Sequence, residues 1–533
     1  MLGRKTLTPQ YWTDDLTITE EDLEAIFSVM LEEEEPLDGR QMVRLFVERR
    51  VRLEEETWRK RLADGQLFQP RAKYEVGQKL VFPAMSFALG EVVGTRPGAN
   101  TDQGNFTVIQ VEFEDGSRRE FASELQAPHR LNLEDDVATE DANVDADRLL
   151  PPVDIDAIVD AYGDDIRARL EERLSAIDDV AYAAGLWFLK SLLPSIDQGH
   201  KNLAEALLDM QGGGPLAAED MLPVLDLPAE INPKLQAFAL NYALYNDKRF
   251  DEVGPAGLVR WFLREMEPDE VKSPPDYLHY EPIAYNPDLL TDEERELEAE
   301  IADELSPLPR VKAVPDAVTL TLIYPHRRAG TLPLTPQLSA MFPTAYEAER
   351  ILITLEDADS GEEYTGWVVR SGRYVCGLDR YYRKHKLPIG VYVQVRRTDD
   401  PGRFLISFDG YRARTEWVTL LQIVDGRVTF QTQQRAIGAA YDDLMALGVD
   451  DLQGLDQIWQ TIKRQRRGLV DTVRELLPEL ARLNPQGAVH FKTLYSAVNM
   501  VRRCPPGPIF AALEAQPEFE PVGGHYWRFN REA

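Results

Sequence analysis

The N-terminal part of the chain carries apolar side chains at the spacing of an amphipathic helix. Leu23 and Ile26 begin a run that recurs every three or four residues, and a second run with the same period follows it. Thr19 and Asp22 stand at the positions of a capping box, in which a hydroxyl and a carboxylate satisfy free amides of the first helical turn. We therefore predict that residues 1–70 form a helical domain.

Two other parts of the chain change to a period of two. Residues 73–128 contain five short runs in which apolar and polar positions nearly alternate, separated by glycines, prolines and the turn-forming pair Asp115 and Gly116. Residues 311–430 contain enough such runs for six or seven strands. Alternation places one face of each strand against a core. We predict a small β-barrel in the first part and a larger β-rich domain in the second.

The remaining stretches differ in composition and period. Acidic segments that are poor in aromatic residues and end in proline are typical of linkers, because they bury too little apolar surface to fold. We therefore predict a linker at 131–153. The other predicted segments are a helical segment at 154–196, a mixed domain at 197–270, an acidic, proline-rich connector at 271–310, a helical segment at 431–485 and a C-terminal domain at 486–533.

The mixed domain at 197–270 has a distinctive order. One helix ends at three glycines, a second begins at a proline, and a third precedes the aromatic-flanked hairpin Asp247–Leu263. This order, with the D-x-RF-x-x-VG turn as its sharpest part, resembles the HARE-type winged helix. That helix-turn-helix domain occurs in the delta subunit of bacterial RNA polymerase and in restriction and chromatin proteins. The resemblance implies a role in transcription or DNA handling.

A weaker copy of this pattern closes the chain at 486–533. It keeps Phe519, Val522, Gly523 and Trp527, but it lacks the arginine before the phenylalanine. The helices of 1–70 predict a third, more divergent winged-helix-like unit. The C-terminal copy also carries basic residues that make it a better candidate for phosphate contacts than the copy at 197–270, namely Lys492, Arg502 and Arg503.

The β-rich parts also resemble known domains. The segments VGQKLVFP, LGEVVG and VEFEDG in 73–125 are similar to SH3-like barrels of the Tudor and KOW types, which bind peptides as often as nucleic acid. Residues 320–424 resemble the DNA-binding pseudobarrel in their order of a short helix, a Trp-containing strand, a GL-x-x-YY helix and L-P-x-G before a strand. The predicted fold class is therefore α+β multidomain, with winged-helix domains, a small SH3-like β-barrel and a central β pseudobarrel.

Composition narrows the class of protein. The chain has 533 residues, of which 44% are hydrophobic, enough for several ordinary cores. No run of about 18 apolar residues is present, so we expect no membrane contact and a cytoplasmic location. Cys376 and Cys504 are the only cysteines and predict no disulfide framework. The seven histidines never fall at metal-ligand spacing, so we expect no metal and no cofactor.

The net charge of -32 argues against nucleic-acid binding by the chain as a whole, but the charge is unevenly distributed. Residues 131–310 contain 41 Asp plus Glu against 14 Lys plus Arg, whereas residues 364–414 contain 11 basic and 4 acidic side chains. Because salt screens exposed charges beyond about 10 Å, a local basic surface can still bind a polyanion.

The basic residues of the C-terminal half are the predicted nucleic-acid contacts. In the pseudobarrel-like region they are interleaved with Tyr374, Tyr381, Tyr382 and Tyr392, which offers phosphate neutralisation together with planar surfaces for stacking. The alternative is a solvated basic face that balances an acidic neighbour. The candidates are Arg370, Arg373, Arg380, Arg383, Lys384, Lys386, Arg396, Arg397, Arg412, Arg414, Lys463, Arg464, Arg466 and Arg467.

Signals for catalysis are weak. The chain contains no dinucleotide-binding, phosphate-loop or nucleophile-elbow motif. The residues from Asp357 to Gly361 have the composition of a hairpin turn rather than of a calcium loop. The triplet Glu270 to Lys272 matches half of a nuclease motif but lies in the connector rather than on a strand. We predict no catalytic residues.

These observations predict a non-enzymatic DNA-binding protein that acts in transcription regulation or another DNA-linked process, with DNA bound through residues 311–533. One alternative is an acidic interaction scaffold that docks on RNA polymerase or another basic partner through residues 131–310. A second is an accessory subunit of a DNA-processing or restriction system.

Five residues of the two predicted hairpins are expected to be core residues, because aromatic side chains dominate small cores. They are Phe250, Val253, Trp261, Phe519 and Trp527.

Overall fold

The computed structural model describes residues 4–85, 87–99, 105–127, 129, 152–346 and 350–530. The chain forms two compact units: unit 1 comprises Met1–Pro194 and Ala229–Gln236, and unit 2 comprises Ser195–Pro228 and Ala237–Ala533. Helices and several sheets occur in both units, so the predicted α+β class is confirmed at that level. All but the last two residues of the predicted linker lie outside the described residues.

The described residues of unit 1 form four helices and two sheets. A three-stranded sheet has the order β1-β8-β7, and a five-stranded sheet has the order β2-β3-β4-β5-β6. The helices are α1 (Pro9–Thr13), α2 (Glu20–Glu33), α3 (Gly39–Asp64) and α4 (Ile155–Ser175), and the strands are β1 (Leu37–Asp38), β2 (Gln66–Leu67), β3 (Lys79–Phe82), β4 (Ala88–Pro97), β5 (Thr107–Phe113), β6 (Arg118–Ser123), β7 (Val180–Ala183) and β8 (Leu186–Leu189).

Local signals explain the elements of unit 1. The capping box predicted at the start of α2 is present, because the Asp22 amide donates to Thr19 Oγ1 and the Thr19 amide donates to Asp22. The predicted hairpin turn between β5 and β6 is also present, and Gly116 adopts φ +76° there. Glycine favours this left-handed conformation because it lacks a Cβ atom.

The three-stranded sheet joins segments that are distant in sequence. Strand β8 pairs antiparallel with β1, placing Trp187 opposite Leu37, and β8 also pairs with β7. The segments predicted as separate domains at 1–70 and 154–196 therefore share one sheet, and the five-stranded sheet is inserted between α3 and α4.

The part of unit 2 that the structure describes contains four further sheets. A two-stranded sheet pairs β9 with β10, the seven-stranded sheet has the order β11-β16-β17-β13-β14-β15-β12, and two three-stranded sheets have the orders β19-β18-β20 and β21-β23-β22. The helices are α5 (Gln198–Met210), α6 (Ala218–Leu225), α7 (Pro233–Tyr245, which begins in unit 1), α8 (Asp269–Lys272), α9 (Asp292–Ile301), α10 (Tyr324–Ala329), α11 (Pro336–Met341), α12 (Asp379–Lys384), α13 (Leu452–Gln465), α14 (Leu469–Ala481), α15 (Phe491–Val501) and α16 (Pro506–Glu514).

The strands of unit 2 lie mainly in the seven-stranded sheet, which contains one parallel pair, β13 with β17; its other pairs are antiparallel. Apolar side chains alternate along β13 and face the core of this sheet. The strands are β9 (Phe250–Glu252), β10 (Trp261–Leu263), β11 (Ala317–Thr321), β12 (Leu332–Pro333), β13 (Arg350–Asp357), β14 (Glu363–Val369), β15 (Tyr374–Cys376), β16 (Tyr392–Arg397), β17 (Arg403–Phe408), β18 (Gly410–Val424), β19 (Arg427–Ala439), β20 (Leu447–Val449), β21 (Ala488–His490), β22 (Phe519–Gly523) and β23 (Tyr526–Phe529).

One order of elements occurs three times: a helix, a short extended segment, two helices and a hairpin. Repeat 1 is α2-β1-α3-α4-β7-β8, repeat 2 is α5, Leu216, α6-α7-β9-β10, and repeat 3 is α14-β21-α15-α16-β22-β23. In each repeat a buried tryptophan of the last strand pairs with the short segment. The pairs are Trp187 with Leu37, Trp261 with Leu216, and Trp527 with Val489. The winged-helix assignment of these segments stays a prediction.

The five residues predicted as core residues of the hairpins in repeats 2 and 3 are all buried, which confirms that prediction: Phe250, Val253, Trp261, Phe519 and Trp527. The hairpin of repeat 2 packs on the seven-stranded sheet. The rings of Phe262 and Trp367 meet edge to face with centroids 5.1 Å apart, and the Leu352 amide donates to the Val253 carbonyl at 2.8 Å. This hairpin therefore belongs to an internal interface of unit 2.

The predicted connector at 271–310 is folded into unit 2. Its helix α9 buries Leu297 in the same apolar core as repeat 3. Just after α9, Asp303 and Glu304 are buried, and Arg503 Nη2 donates to one oxygen of each at 2.6 Å. The His326 ring also contacts Glu304, at 3.1 Å. We call these four residues the buried charge cluster.

Two further sequence predictions concern local chemistry. Both cysteines are buried, and burial raises the pKa of each thiol to about 12. The triplet Glu270 to Lys272 lies in the short helix α8, not on a strand, as predicted. Among the described residues, no helix is long and apolar enough to cross a membrane.

Candidate nucleic-acid interface

Two of the predicted phosphate contacts, Arg370 and Arg373, donate hydrogen bonds to backbone carbonyls of the chain. Arg370 donates from Nη2 to the carbonyl oxygens of Phe342 at 2.7 Å and Pro343 at 2.9 Å. Arg373 donates from Nη1 to the Glu304 carbonyl at 3.0 Å. These guanidinium groups order neighbouring loops, so they are poorly placed to contact phosphate.

The basic residues of helix α12 face the acidic turn between β13 and β14. Lys384 Nζ lies 2.8 Å from Glu362 Oε2, and Arg380 also pairs with Glu362. Arg383 Nε lies 2.9 Å from Asp379 Oδ1 in its own helix. The alternative of a basic face that balances acidic groups therefore describes α12 well, although its partners lie in the same sheet rather than in a neighbouring domain.

The acidic turn has the structure that its composition predicted. Asp357 accepts hydrogen bonds from the Asp359 amide at 3.1 Å and from Ser360 Oγ at 2.6 Å, and Gly361 adopts φ +68°. It is a hairpin turn, and its carboxylates lie close enough to α12 to pair with it.

Three of the four predicted stacking tyrosines are buried, so the prediction is wrong for those three. Tyr374, Tyr381 and Tyr382 have no exposed surface, and Tyr382 donates its hydroxyl to the Thr331 carbonyl at 2.9 Å. A GL-x-x-YY helix on a seven-stranded sheet must cover the core with its aromatic face. Tyr392 is partly exposed at the start of β16.

Three predicted contacts are exposed without an ion pair. Lys386 follows α12 in a left-handed conformation, and Arg396 and Arg397 end strand β16. None of them pairs with a carboxylate among the described residues. Their charges are available to an external anion.

Strands β18 and β19 form a long two-stranded hairpin, which we call the ribbon. It leaves the seven-stranded sheet at Asp409, whose carbonyl accepts from the Ala440 amide at 2.8 Å, and it turns at Asp425 and Gly426. Residues 411–415 and 431–434 are exposed at successive positions, so both faces of this stretch meet solvent.

The exposed stretch of the ribbon carries arginine, glutamine and an aromatic residue. Arg412 and Arg414 make no ion pair with a described carboxylate, and the Arg414 guanidinium lies 5.5 Å from the centre of the Tyr411 ring. Trp417 is 69% exposed and lies opposite Gln434. An aromatic side chain this exposed on a strand has no intramolecular packing role.

The second basic group lies at the end of α13. Arg464 is exposed, while Lys463, Arg466 and Arg467 line a cavity of about 330 Å³ together with Arg502. Arg502 Nη1 donates to the Arg467 carbonyl at 2.9 Å. Arg467 pairs with Glu475, and Lys463 lies 3.8 Å from Asp276, which leaves Arg464 and Arg466 without an ion pair among the described residues. We call this group the α13 cluster.

Of the three basic residues predicted as phosphate contacts in the C-terminal copy, two are paired with carboxylates and one lies near the end of α13. Arg503 is buried in the charge cluster, and Lys492 pairs with Glu300 at 2.7 Å and Asp442 at 3.0 Å. Both side chains are therefore poorly placed for the predicted phosphate contacts. Arg502 alone joins the α13 cluster.

Trp417 was not among the contacts predicted from the sequence. Its signal is the segment YRARTEW, in which neither set of alternate positions is consistently apolar, as expected for a strand that is exposed on both faces. Comparisons with known proteins found no family model, no curated protein and no solved structure that matches this chain.

Proposed function

We propose that the protein binds duplex DNA through the exposed stretch of the ribbon and acts in transcription regulation or another DNA-linked process. The observation that carries the proposal is the presence, on one two-stranded ribbon, of two arginines without ion pairs to described carboxylates and one exposed tryptophan. The α13 cluster supplies further phosphate contacts in this proposal.

The dimensions and chemistry of the ribbon support this proposal. The major groove of B-form DNA admits a two-stranded ribbon, and arginine and glutamine are side chains that pair with base edges there. Residues directly opposite each other in an antiparallel pair point to the same face. Trp417 and Gln434 therefore form one exposed patch together with Thr415 and Thr432.

The pattern of ion pairing explains why the ribbon is favoured over α12. A basic residue that already pairs with a carboxylate must break that pair before it can bind phosphate. Arg412 and Arg414 have no ion pair with a described carboxylate to break before they bind phosphate. The acidic residues elsewhere are screened beyond about 10 Å at moderate salt, so they do not prevent local binding.

A second candidate function is docking of the acidic part of the chain on a basic protein surface, with RNA polymerase as one candidate partner. Helix α7, the third helix of repeat 2, has Lys234 as its one basic residue, and Lys234 Nζ lies 2.8 Å from Glu35 Oε2. Such a helix is a poor reader of a DNA groove. Its repeat therefore suits a protein partner better than DNA.

The DNA proposal is tested by fluorescence anisotropy of a labelled duplex against the full chain over a range of salt concentrations. We expect Kd to rise with salt, and Arg412→Gln with Arg414→Gln to lower the slope of log K against log salt by about 0.9 for each phosphate that is no longer neutralised. Trp417→Ala is expected to weaken binding at every salt concentration. Arg40→Gln, which removes an exposed arginine that pairs with Asp160, is the matched control.

Binding that is absent in the intact protein at low salt would contradict the proposal. If the control and the ribbon variants weaken DNA binding equally, any surface arginine contributes to binding and the ribbon has no special role. In that case recovery of a specific basic protein by the acidic region would favour the docking alternative.

A further inference from the structure

The inner side of the ribbon covers a cleft that the DNA proposal does not use. The cleft lies within unit 2, between the ribbon, strand β20 and the ends of helices α10 and α12, and its volume is about 570 Å³. Ligand sites for small molecules have volumes of roughly 300 to 1,000 Å³, so the cleft has a suitable size.

The floor of the cleft is aliphatic. Val418, Leu420 and Ile437 lie on one face of the ribbon, as their register shows, and each is buried. Ile389 and Leu447 add apolar surface from the opposite side. A surface of this kind favours an apolar ligand body, because burial removes both apolar surfaces from water.

The rim of the cleft is basic. Four arginines and two aspartates line it, and three of the arginines have carboxylate partners. Arg383 pairs with Asp379, Arg435 pairs with Asp450, and Arg328 pairs with Asp456 outside the cleft lining. The aspartates that line the cleft are thus already matched.

The fourth arginine, Arg327, lacks such a partner. No described carboxylate makes an ion pair with it; its Nε donates to the Leu387 carbonyl at 2.7 Å, and its guanidinium lies 5.7 Å from the centre of the Tyr382 ring. Burial lowers the pKa of Arg327, and the like charges of Arg383 and Arg328 act in the same direction against the opposing charge of Asp379. A partly buried cation without an ion-pair partner is costly, and an anion in the cleft would relieve that cost.

We propose that the cleft binds a small amphiphilic anion, whose carboxylate, sulfonate or phosphate group is held by Arg327 and whose apolar body lies on Val418, Leu420 and Ile437. The cation and the apolar floor line the same cavity, which specifies both halves of the ligand. None of Arg412, Arg414 and Trp417 lines this cleft, so the proposal stands whether or not the protein binds DNA.

The test uses isothermal titration of the full chain with decanoate, an apolar chain with a carboxylate, and with decanol, its uncharged analogue. Both probes are kept below the concentrations at which they aggregate or separate from water. We expect one decanoate per chain and an affinity for decanol at least ~tenfold weaker, since decanol cannot form the charged hydrogen bond. Arg327→Met should weaken decanoate by a similar factor, and Arg397→Met, a matched change at an exposed arginine, should leave it unchanged.

Equal affinities for decanoate and decanol, or no binding of decanoate, would overturn the proposal. So would unchanged decanoate binding by a folded Arg327→Met variant. If that variant fails to fold, the comparison of decanoate with decanol on the unmodified protein still decides the question.

Discussion

Replacing Arg503 with methionine tests whether the buried charge cluster holds unit 2 together. Arg503 has no exposed side-chain surface, and it lies 2.6 Å from both Asp303 and Glu304, whose side chains are at most 4% exposed. The variant keeps most of the side-chain volume but leaves two buried carboxylates without their cation. Removal of one partner from a buried ion pair costs about 3–5 kcal/mol, because the remaining charge is not compensated.

The effect also has a pH dependence. Although burial opposes ionisation, the charges of Arg503 and His326 hold the pKa of Glu304 well below its usual range. A carboxyl group with a lowered pKa contributes stability above its ordinary pKa, and that stability is lost as pH falls through the lowered value. At neutral pH the contribution of Glu304 is therefore present in the unmodified protein, and Arg503→Met should remove it.

The assay is urea unfolding of the full chain at pH 7. Tryptophan fluorescence and circular dichroism monitor the unfolding and resolve the transition of unit 2. We expect its free energy of unfolding to fall by about 3–5 kcal/mol. Arg474→Met is the matched control, because its pair with Glu518 is partly exposed and such pairs contribute about 0–1 kcal/mol. Adding Asp303→Asn and Glu304→Gln to Arg503→Met should restore part of the stability. A decrease below about 1 kcal/mol, or no recovery in the triple variant, would refute the reasoning.

Three further predictions concern unit 2. Burial and the neighbouring Asp251 raise the pKa of Glu267 despite its 2.7 Å contact with Arg350, so the stability that the protonated carboxyl contributes is present below its ordinary pKa and is lost as pH rises through the raised value. In thermal unfolding, Glu267→Gln should therefore raise the melting temperature at pH 9 and change it little at pH 5. A lower melting temperature of the variant at pH 9 would mean that the pair with Arg350 dominates. Phe262→Ala should destabilise the hairpin of repeat 2 by about 3–5 kcal/mol, seen as earlier protease cleavage there, and cleavage no faster than in the unmodified protein would contradict this. Both cysteines should react with a thiol reagent only as fast as the protein unfolds, and rapid labelling of the native protein at pH 8 would show that a thiol is accessible.

The helices, hairpin turns and core aromatic residues were predictable because their signals are local. The capping box at Thr19 involves residues three positions apart, and the turn at Gly116 depends on one glycine. Each of these features needs only a few consecutive residues, which the chain presents in any context.

The candidate site was less predictable, because basic composition does not reveal pairing. Both Arg380 and Arg412 lie beside a tyrosine in the sequence, yet Arg380 pairs with Glu362 in the turn between β13 and β14 and Arg412 pairs with no described carboxylate. Tyr381 and Tyr382 face the core, because that side of α12 packs on the sheet. Trp417 lies on the ribbon, and its exposure depends on how far the ribbon extends beyond its neighbours.

Amino-acid order alone established the α+β class, the positions of most elements and the uneven distribution of charge, since these depend on local propensity and on counting. Tertiary structure decided how the segments combine. It joined β1 to β8 across an inserted sheet, and it brought Asp303 to Arg503, 200 residues away. It also determined which arginines remain available to a ligand. The physical reason is that burial and ion pairing depend on long-range contacts, and these contacts form only when distant segments pack together.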